Sequence, residues 1–343
     1  MSHASSFALP TEGVTTSGRD DPMTDLRQGE RTASAPAGHG TVLFVGLGAM
    51  GTPMSEHLSA GGYDLVLCDL REPHAKALAD ARGARSVPLE EVGFAAGTAT
   101  TVILMLPDSR AVEDVLEGEA GIYANLSPGS VVIDMSSSSP SATVRLADRA
   151  GQLGVDFVDA PVSGGVAKAN TGELSIMVGA ADHAFARVDP LLHVLGSDVT
   201  HVGPVGAGHA MKALNNLLSA IGLVAASEVL AIGTKFGLEP QVMLDVLNGS
   251  TGGNHATRVK MARFVLSGAF DSGFSLQLMV KDLTIALQLA HETSTPAPIS
   301  ASCLEEWAAA KRTLEPGADH THIAAYVERR AGTELRPSNA GDT

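Results

Sequence analysis

The predicted fold of this chain is decided by the stretch Gly46-Leu47-Gly48-Ala49-Met50-Gly51. It follows a short apolar run, 41–45, and leads into a helical pattern, 52–60. Between a strand and a helix, glycines in this spacing permit a tight turn, let the backbone approach a pyrophosphate and let the helix pack close to the strand. The free N–H groups at the helix start would hold the phosphates. We therefore predict that all six residues bind a nicotinamide dinucleotide, the alternative being a glycine-rich turn without a ligand.

The end of the second predicted strand supplies an acidic residue at the expected distance. Asp69 lies 23 positions after Gly46, and roughly 20 are typical of the carboxylate that binds the adenine ribose. A carboxylate there accepts from both ribose hydroxyls and repels a 2′-phosphate, which favours NAD. Arg71 could pair with such a phosphate, so NADP stays an alternative, as does a surface role for Asp69. We assign Asp69, Leu70 and Arg71 to the cofactor site.

Composition narrows the class of protein and its partners. At 343 residues the chain can form two domains, and 44% hydrophobic with 18% charged residues is typical of a globular protein. A net charge of −15 argues against nucleic acid and anionic membranes, but allows a small carboxylate substrate in a pocket. We find no run of about 18 apolar residues and expect no membrane span. Cys68 and Cys303 lack metal-ligand spacing, so we expect free thiols and a cytoplasmic location.

Two regions of different character follow each other along the chain. Apolar runs alternate with helical patterns from Thr41 to Val202, which predicts an α/β domain with a mostly parallel sheet and helices on both faces. From His209 onward helical patterns succeed one another, which predicts an all-α C-terminal domain. An apolar helix face shared between chains would make the protein a homodimer or homotetramer. The predicted order is a disordered tail at 1–39, the α/β domain at 40–203, the helical domain at 204–331 and a polar tail at 332–343.

The start of the long predicted helix carries two polar residues in an apolar setting. Lys212 and Asn216 are four residues apart and therefore share one helix face. In a dry cleft a lysine loses its proton easily and serves as a general acid or base. Asn216 could accept a hydrogen bond from the amine and donate one to a substrate oxygen. The alternative is a lysine whose stem packs on apolar surface beside a satisfied asparagine. His209, three residues earlier on the same helix, could touch the site, but a surface position is expected.

These features, together with further motifs, resemble the β-hydroxyacid dehydrogenase family. The resemblance runs from about Thr41 to Arg330, and six motifs occur in the family's order. They are Phe44–Gly51, Leu106-Pro107, Asp134-Met135-Ser136-Ser137, Asp159–Gly165, Gly206–Asn216 and Lys281-Asp282. Each motif alone is modest evidence, whereas six in order are specific. The resemblance implies a Rossmann-type N-terminal domain, a helical C-terminal domain and an active site in the cleft between them.

The resemblance also implies roles for individual residues. The family often has threonine where Ser137 stands, a change that keeps the hydroxyl. For Lys281 and Asp282 the alternative is an exposed charged pair. The matched residues are the catalytic Lys212 with its partner Asn216; Ser163, Gly164 and Gly165 of the loop that binds the substrate carboxylate; Leu106, Pro107 and Ser137 at the cofactor; and Lys281, near both cofactor and substrate.

The implied reaction is a hydride transfer between NAD(P) and a short 3-hydroxy acid, which gives the semialdehyde or keto form. Lys212 exchanges the hydroxyl proton, and no metal is required. One alternative is an imine reductase on the same scaffold, although such relatives usually lack lysine at the position of Lys212. A second is a non-catalytic NAD(P)-binding interaction module. A third is a sugar-phosphate dehydrogenase, whose helical domain is longer than the one predicted here.

Overall fold

A computed structural model describes residues 40–119 and 121–336; the predicted tail at 1–39 and the segment 337–343 lie outside these ranges. The first half of the described chain forms one sheet of nine strands, because its apolar runs are short and rich in β-branched residues. The strands are Val42–Val45 (β1), Leu65–Cys68 (β2), Arg85–Ser86 (β3), Thr101–Leu104 (β4), Val131–Asp134 (β5), Asp156–Asp159 (β6), Val162–Ser163 (β7), Leu174–Gly179 (β8) and Gly196–Gly203 (β9).

The sheet is mostly parallel, which confirms the prediction. Its strand order is β3-β2-β1-β4-β5-β6-β8-β7, and β9 pairs with β8. The strands from β3 to β6 are all parallel, whereas β8 runs antiparallel to β6 and β7. The direction of winding changes between β1 and β4, and in such sheets ligands bind at this point, beyond the carboxyl ends of the strands. The glycine turn follows β1 at this point.

Seven helices accompany the described part of the sheet: Gly51–Ala60 (α1), Glu72–Arg82 (α2), Val92–Ala96 (α3), Ser109–Glu117 (α4), Pro140–Gln152 (α5), Gly165–Thr171 (α6) and Asp182–Leu195 (α7). They cover both faces, as predicted. Val42 and Phe44 face a core shared with α1, α2, α6 and α7, whereas Leu43 and Val45 face a core shared with α3, α4 and α5. One strand therefore serves two apolar layers, as expected of a central parallel strand.

Beyond β9 the described chain is helical, which confirms the predicted character of this half. Long apolar-periodic segments form Ala207–Phe236 (α8), Pro240–Asn248 (α9), Leu276–Glu292 (α10), Pro298–Thr313 (α11) and Ile323–Ala331 (α12), and Ala256–Leu266 winds as a π-helix. These helices enclose a separate core that includes the fully buried Trp307. Because α8 also packs against α5, β6, β8 and β9, it joins the helical part to the sheet.

In the described ranges, α8 is the one helix long and apolar enough, by length and composition alone, to cross a membrane. The sequence predicts none, since polar residues interrupt its apolar runs. Packing accounts for part of the apolar composition of α8, and the remaining face carries exposed apolar side chains. It contacts α9, α10, α11, α12 and the π-helix, and a helix packed on several sides is apolar around most of its circumference.

The last described residues pack against the helical core. The predicted polar tail begins at Gly332, yet the side chain of Leu335 is fully buried. The Leu335 N–H donates to Glu328 Oε1 at 2.6 Å. The prediction of a polar tail is therefore wrong for 332–336, because burial of Leu335 stabilises this segment against the helices. The domain boundaries stay a prediction, since the described residues belong to one compact unit.

Candidate active site

The glycine turn after β1 has the shape that a dinucleotide requires. Gly46 has a φ of +98°, and a Cβ there would overlap the carbonyl oxygen of Met105. A Cβ on Gly51 would overlap the carbonyl oxygen of Gly46, so close packing of α1 requires this glycine. A Cβ on Gly48 would meet no atom of the described chain within 4 Å. The protein itself therefore does not require glycine at position 48, whereas a pyrophosphate held against the turn does.

The predicted ribose-binding carboxylate lies directly beside this turn. Asp69 Oδ2 accepts the Leu47 N–H at 2.7 Å, and Oδ1 accepts the Arg71 N–H at 2.8 Å. Partial burial alone would raise the pKa of Asp69, but these N–H groups and the Arg71 guanidinium outweigh it and lower the pKa below its usual value. The carboxylate is therefore ionised. Leu70 is 85% exposed next to it, which leaves an apolar surface free for the adenine.

The loops after β4 and β5 meet the helical part of the molecule at Lys281. The Lys281 ammonium, carried by α10, donates to the carbonyl oxygen of Pro107 at 3.0 Å and of Ser137 at 2.8 Å. Leu106 is fixed in the same place, because its N–H donates to Ser136 Oγ at 3.0 Å. The structure thus brings together four residues predicted from separate motifs. Together they form one wall at the carboxyl edge of the sheet, next to the glycine turn.

Lys212 is a buried amine without a bonding partner in the described part of the chain. Its side chain lies in the second turn of α8, with 8% of the residue exposed. No other described residue forms a hydrogen bond or ion pair with Lys212 Nζ. Burial lowers the pKa of Lys212 below its ordinary value, and the nearby Asp282 only partly opposes this effect. An amine with free donors and a lowered pKa is suited to exchange a proton with a ligand.

Asn216 does not bond to Lys212, so the predicted hydrogen bond from the amine is wrong. Its Nδ2 donates to Asp282 Oδ2 at 2.6 Å, and its Oδ1 accepts from Asn215 Nδ2 at 3.2 Å. Asp282 is buried and also lies 3.5 Å from Lys281 Nζ. A buried carboxylate must be paired, and the partners of Asp282 are Asn216 of α8 and Lys281 of α10. Asp282 therefore ties α8 to α10 at the site, a contact that the sequence does not reveal.

The predicted carboxylate-binding loop has consecutive glycines in left-handed conformations. Gly164 has a φ of +125° and Gly165 a φ of +65°, directly after Ser163 at the end of β7. Successive N–H groups in such a conformation point into a concavity that binds anions. No described residue forms a hydrogen bond with Ser163 Oγ. The loop therefore offers a hydroxyl and backbone N–H groups to a substrate carboxylate.

Asp159 fixes the start of α8, and through it Lys212, to the edge of the sheet. The fully buried carboxylate accepts the N–H groups of Gly206 at 2.6 Å and His209 at 2.8 Å. A Cβ on Gly208 would overlap the carbonyl oxygen of Met177, so α8 lies against β8 as closely as a glycine allows. This anchor was not among the predicted site residues, although Asp159 opens one of the family-like motifs.

His209 is buried, so the predicted surface position is wrong. Its Nδ1 lies 2.8 Å from Thr143 Oγ1, and its Nε2 lies 3.1 Å from the carbonyl oxygen of Ser136. A buried imidazole needs both ring nitrogens paired, and here both are. His209 therefore links α8 to α5 and to the loop after β5 rather than facing solvent. In residues 40–119 and 121–336, no group of three or more His, Cys, Asp or Glu side chains could hold a metal ion.

Comparison with known proteins agrees with this geometry. Residues 41–203 match the NAD binding domain of 6-phosphogluconate dehydrogenase, and residues 206–327 match the NAD-binding domain of NADP-dependent 3-hydroxyisobutyrate dehydrogenase. The chain is 40% identical over 258 residues to 2-(hydroxymethyl)glutarate dehydrogenase of Eubacterium barkeri, which covers 75% of this chain and 85% of that protein. The chain belongs to the β-hydroxyacid dehydrogenase family.

Further relatives of this β-hydroxyacid dehydrogenase agree with the assignment. It is 36% identical over 292 residues to 2-hydroxy-3-oxopropionate reductase of Escherichia coli K12, covering 85% of this chain and 98% of that protein. A solved structure of Mycobacterium tuberculosis 3-hydroxyisobutyrate dehydrogenase with L-serine matches with a TM-score of 0.75 and 29% identity, covering 84% of this chain and 99% of that chain. The predicted activity is confirmed: this β-hydroxyacid dehydrogenase is an NAD(P)-dependent oxidoreductase acting on 3-hydroxy acids.

The imine reductase alternative has weaker support. A reductive aminase from Aspergillus terreus matches this β-hydroxyacid dehydrogenase with a TM-score of 0.50 and 21% identity. A likeness at that level shows a shared fold alone. The relatives of higher identity are hydroxyacid dehydrogenases and a reductase, so the fold is shared more widely than the chemistry.

Proposed function

We propose that this β-hydroxyacid dehydrogenase oxidises a short 3-hydroxy acid to its semialdehyde, with Lys212 as the general base. One observation carries the proposal: Lys212 Nζ is buried at the carboxyl edge of the sheet and has no bonding partner in the described chain. A buried amine that no protein group satisfies is destabilising unless a ligand uses it. A substrate hydroxyl, which can donate to a neutral amine and accept from a charged one, meets that need.

The residues around Lys212 bind the substrate and position the groups beside the reacting amine. Ser163 Oγ and the N–H groups of Gly164 and Gly165 would bind the substrate carboxylate, which holds the hydroxyl toward Lys212. A bound nicotinamide supplies the hydride acceptor. Lys212 takes the hydroxyl proton as the C–H bond breaks, and in the reverse direction it protonates the oxygen of the carbonyl. Asp282 holds Asn216 in place beside this reaction.

NAD is the preferred cofactor in this proposal, with NADP as the alternative. Asp69 Oδ2 lies at the glycine turn and is ionised, so it attracts the ribose hydroxyls and repels a 2′-phosphate. Arg71 bonds to Asp69 and to the carbonyl oxygen of Leu47 at 2.9 Å, so two of its donors are already used within the chain.

The quaternary structure and the location are part of the same proposal. One face of α8 carries exposed apolar side chains along its length, here called the outer stripe: Met211, Leu214, Leu218, Val229, Ile232 and Phe236. A second copy of the chain, presenting the same stripe, is the occupant that fits an apolar face on an otherwise acidic protein. The free cysteines Cys68 and Cys303, both buried, support a reducing location such as the cytoplasm.

Turnover measurements on a defined panel test the proposal. The panel contains 3-hydroxyisobutyrate, L-serine and 2-(hydroxymethyl)glutarate for oxidation, and tartronate semialdehyde for reduction, each with both cofactors. We expect a change in NADH absorbance with at least one compound and a preference for NAD. A cyclic imine with NADPH serves as the comparison for the alternative reductase. Turnover of the imine alone, or cofactor binding without turnover of any compound, would contradict the proposal.

A further inference from the structure

A second buried lysine lies close to Lys212 and has no part in the mechanism above. Lys260 is on the π-helix and is 9% exposed. Its ammonium donates to Ser219 Oγ at 2.8 Å. Ser219 is seven residues after Lys212 on α8, two helical turns along the same face. Lys260 therefore contacts the face of α8 that carries the reacting amine, at a point farther along the helix.

The Lys260 ammonium has unused hydrogen-bonding capacity. It carries three donors, and within the described ranges its one hydrogen-bond partner is the neutral hydroxyl of Ser219. The carboxylate of Asp319 is the nearby negative charge, but it lies beyond ion-pair distance of Lys260. Its oxygens already accept hydrogen bonds from Ser272, Gly273, Phe274 and Thr321.

The charge of Lys260 is only partly compensated in its buried position. Burial lowers the pKa of Lys260 to about 8; Asp319 opposes this effect, and the charge of Lys212 adds to it. Burial lowers the pKa of both His255 and His320, and the charge of Lys260 lowers each pKa further. A cation in such a place destabilises the fold, and an apolar residue of equal length would be tolerated better. A structural role does not explain Lys260, whereas an anionic ligand that neutralises it does.

We propose that Lys260, assisted by Ser219, binds a second carboxylate at the distal end of the substrate, so that the preferred substrates are 3-hydroxy dicarboxylic acids. This inference rests on the proposed function, in which Ser163–Gly165 hold the first carboxylate. Seven residues of α-helix span about 10 Å, so the second carboxylate lies several bonds beyond the reacting carbon. One ammonium and one hydroxyl suit the two oxygens of a carboxylate better than the three oxygens of a phosphate.

A matched series of substrates tests this inference. In 3-hydroxyisobutyrate the second carbon carries a methyl group; 2-(hydroxymethyl)succinate and 2-(hydroxymethyl)glutarate carry a carboxymethyl or carboxyethyl group there instead. We expect kcat/KM to be at least about 30-fold higher for one dicarboxylate than for 3-hydroxyisobutyrate and for the distal amide of that dicarboxylate. Lys260→Met should remove this preference, mainly through KM, and leave turnover of 3-hydroxyisobutyrate within about threefold.

Lys311→Met, an exposed lysine on α11, is the matched control and should keep the preference. An unaltered thermal unfolding profile will show that Lys260→Met folds. The inference is overturned if the wild type favours 3-hydroxyisobutyrate, or if Lys260→Met lowers kcat/KM equally for every substrate. If no compound is turned over, the proposed function fails, and the distal site is then tested by calorimetry with glutarate. Equal affinity of wild type and Lys260→Met for glutarate would overturn the inference on its own.

Discussion

The amine of Lys212 is buried and has a lowered pKa, so the rate of the reaction should depend on its protonation state. Burial lowers the pKa of its amine, and Asp282 and Lys281 act on it with opposite signs. In the oxidation direction the amine must be neutral to accept a proton, so kcat/KM should rise with pH through the pKa of Lys212, at a pH below 10.5. In the reduction direction the protonated form is needed, and the rate should fall over the same interval.

Lys212→Met removes the proton acceptor while keeping an unbranched side chain of similar length. We expect kcat to fall by about 10²- to 10⁴-fold, the usual contribution of general acid–base catalysis, and the pH inflection to disappear. The affinity for NADH, measured by fluorescence titration, should change little, because no cofactor-binding residue of the described chain bonds to the amine. Lys235→Met, an exposed lysine at the end of α8, provides the control. A variant of Lys212 that retains both rate and pH profile would remove this residue from the mechanism.

A substitution at Asp69 tests which residue selects between NAD and NADP. The Asp69→Ala variant loses the acceptor for the ribose hydroxyls and releases Arg71 from its bond with the carboxylate. We expect the ratio of kcat/KM for NAD to that for NADP to fall by at least about 100-fold, since hydrogen bonds to a charged group and the repulsion of a phosphate act together. Asp80→Ala, at an exposed position of α2, should keep the wild-type ratio. An unchanged ratio in Asp69→Ala would show that other residues select the cofactor.

The first turn of α8 is the element on which the site depends. Asp159 accepts two backbone N–H groups that α8 cannot satisfy internally, and its carboxylate is fully buried. Asp159→Ala leaves both N–H groups without a partner, so we expect a loss of about 3 kcal/mol in the free energy of unfolding, measured with urea. Turnover should fall as well, because Lys212 follows one turn later.

Two companion variants make the result specific to the anchor. Asp159→Asn keeps one acceptor oxygen and should lose about half as much stability. Asp182 is at the first turn of α7 with its side chain fully exposed, so Asp182→Ala should unfold at nearly the wild-type urea concentration. Equal stability of Asp159→Ala and the wild type would mean that water replaces the lost acceptor.

The sequence predicts the elements and the cofactor end of the site more fully than the substrate end. The glycine turn and Asp69 lie within 25 residues of each other, so the geometry of one strand–helix–strand unit places them side by side. The bonds of Asp282 to Asn216 and of Lys260 to Ser219 join residues 66 and 41 positions apart, and helix packing alone decides them. Local pattern has limits too: α7 contains Pro190, which interrupts a helical pattern, and the hydrophobic spacing of 256–266 does not distinguish a π-helix from an α-helix.

At the scale of the whole molecule, the outer stripe predicts self-association. Leu218, Ile232 and Phe236 are each more than 70% exposed, and together with the rest of the stripe they follow one face of α8 for about 38 Å. Exposed apolar surface of this length favours burial in an interface. A two-fold axis across α8 would pair the stripe with itself, so the mass of the wild type in light scattering should be a multiple of the monomer mass.

Charge placed on the stripe should break this assembly. The double variant Leu218→Glu, Ile232→Glu would set like charges against each other across the two-fold axis and desolvate them, so we expect monomers at micromolar concentration. Phe94→Glu is the matched control, because Phe94 is 78% exposed on α3, away from the stripe. It should have the mass of the wild type. A monomeric wild type, or a double variant with undiminished mass, would show that the stripe is not the interface, and a circular dichroism spectrum like that of the wild type would exclude unfolding as the cause of dissociation.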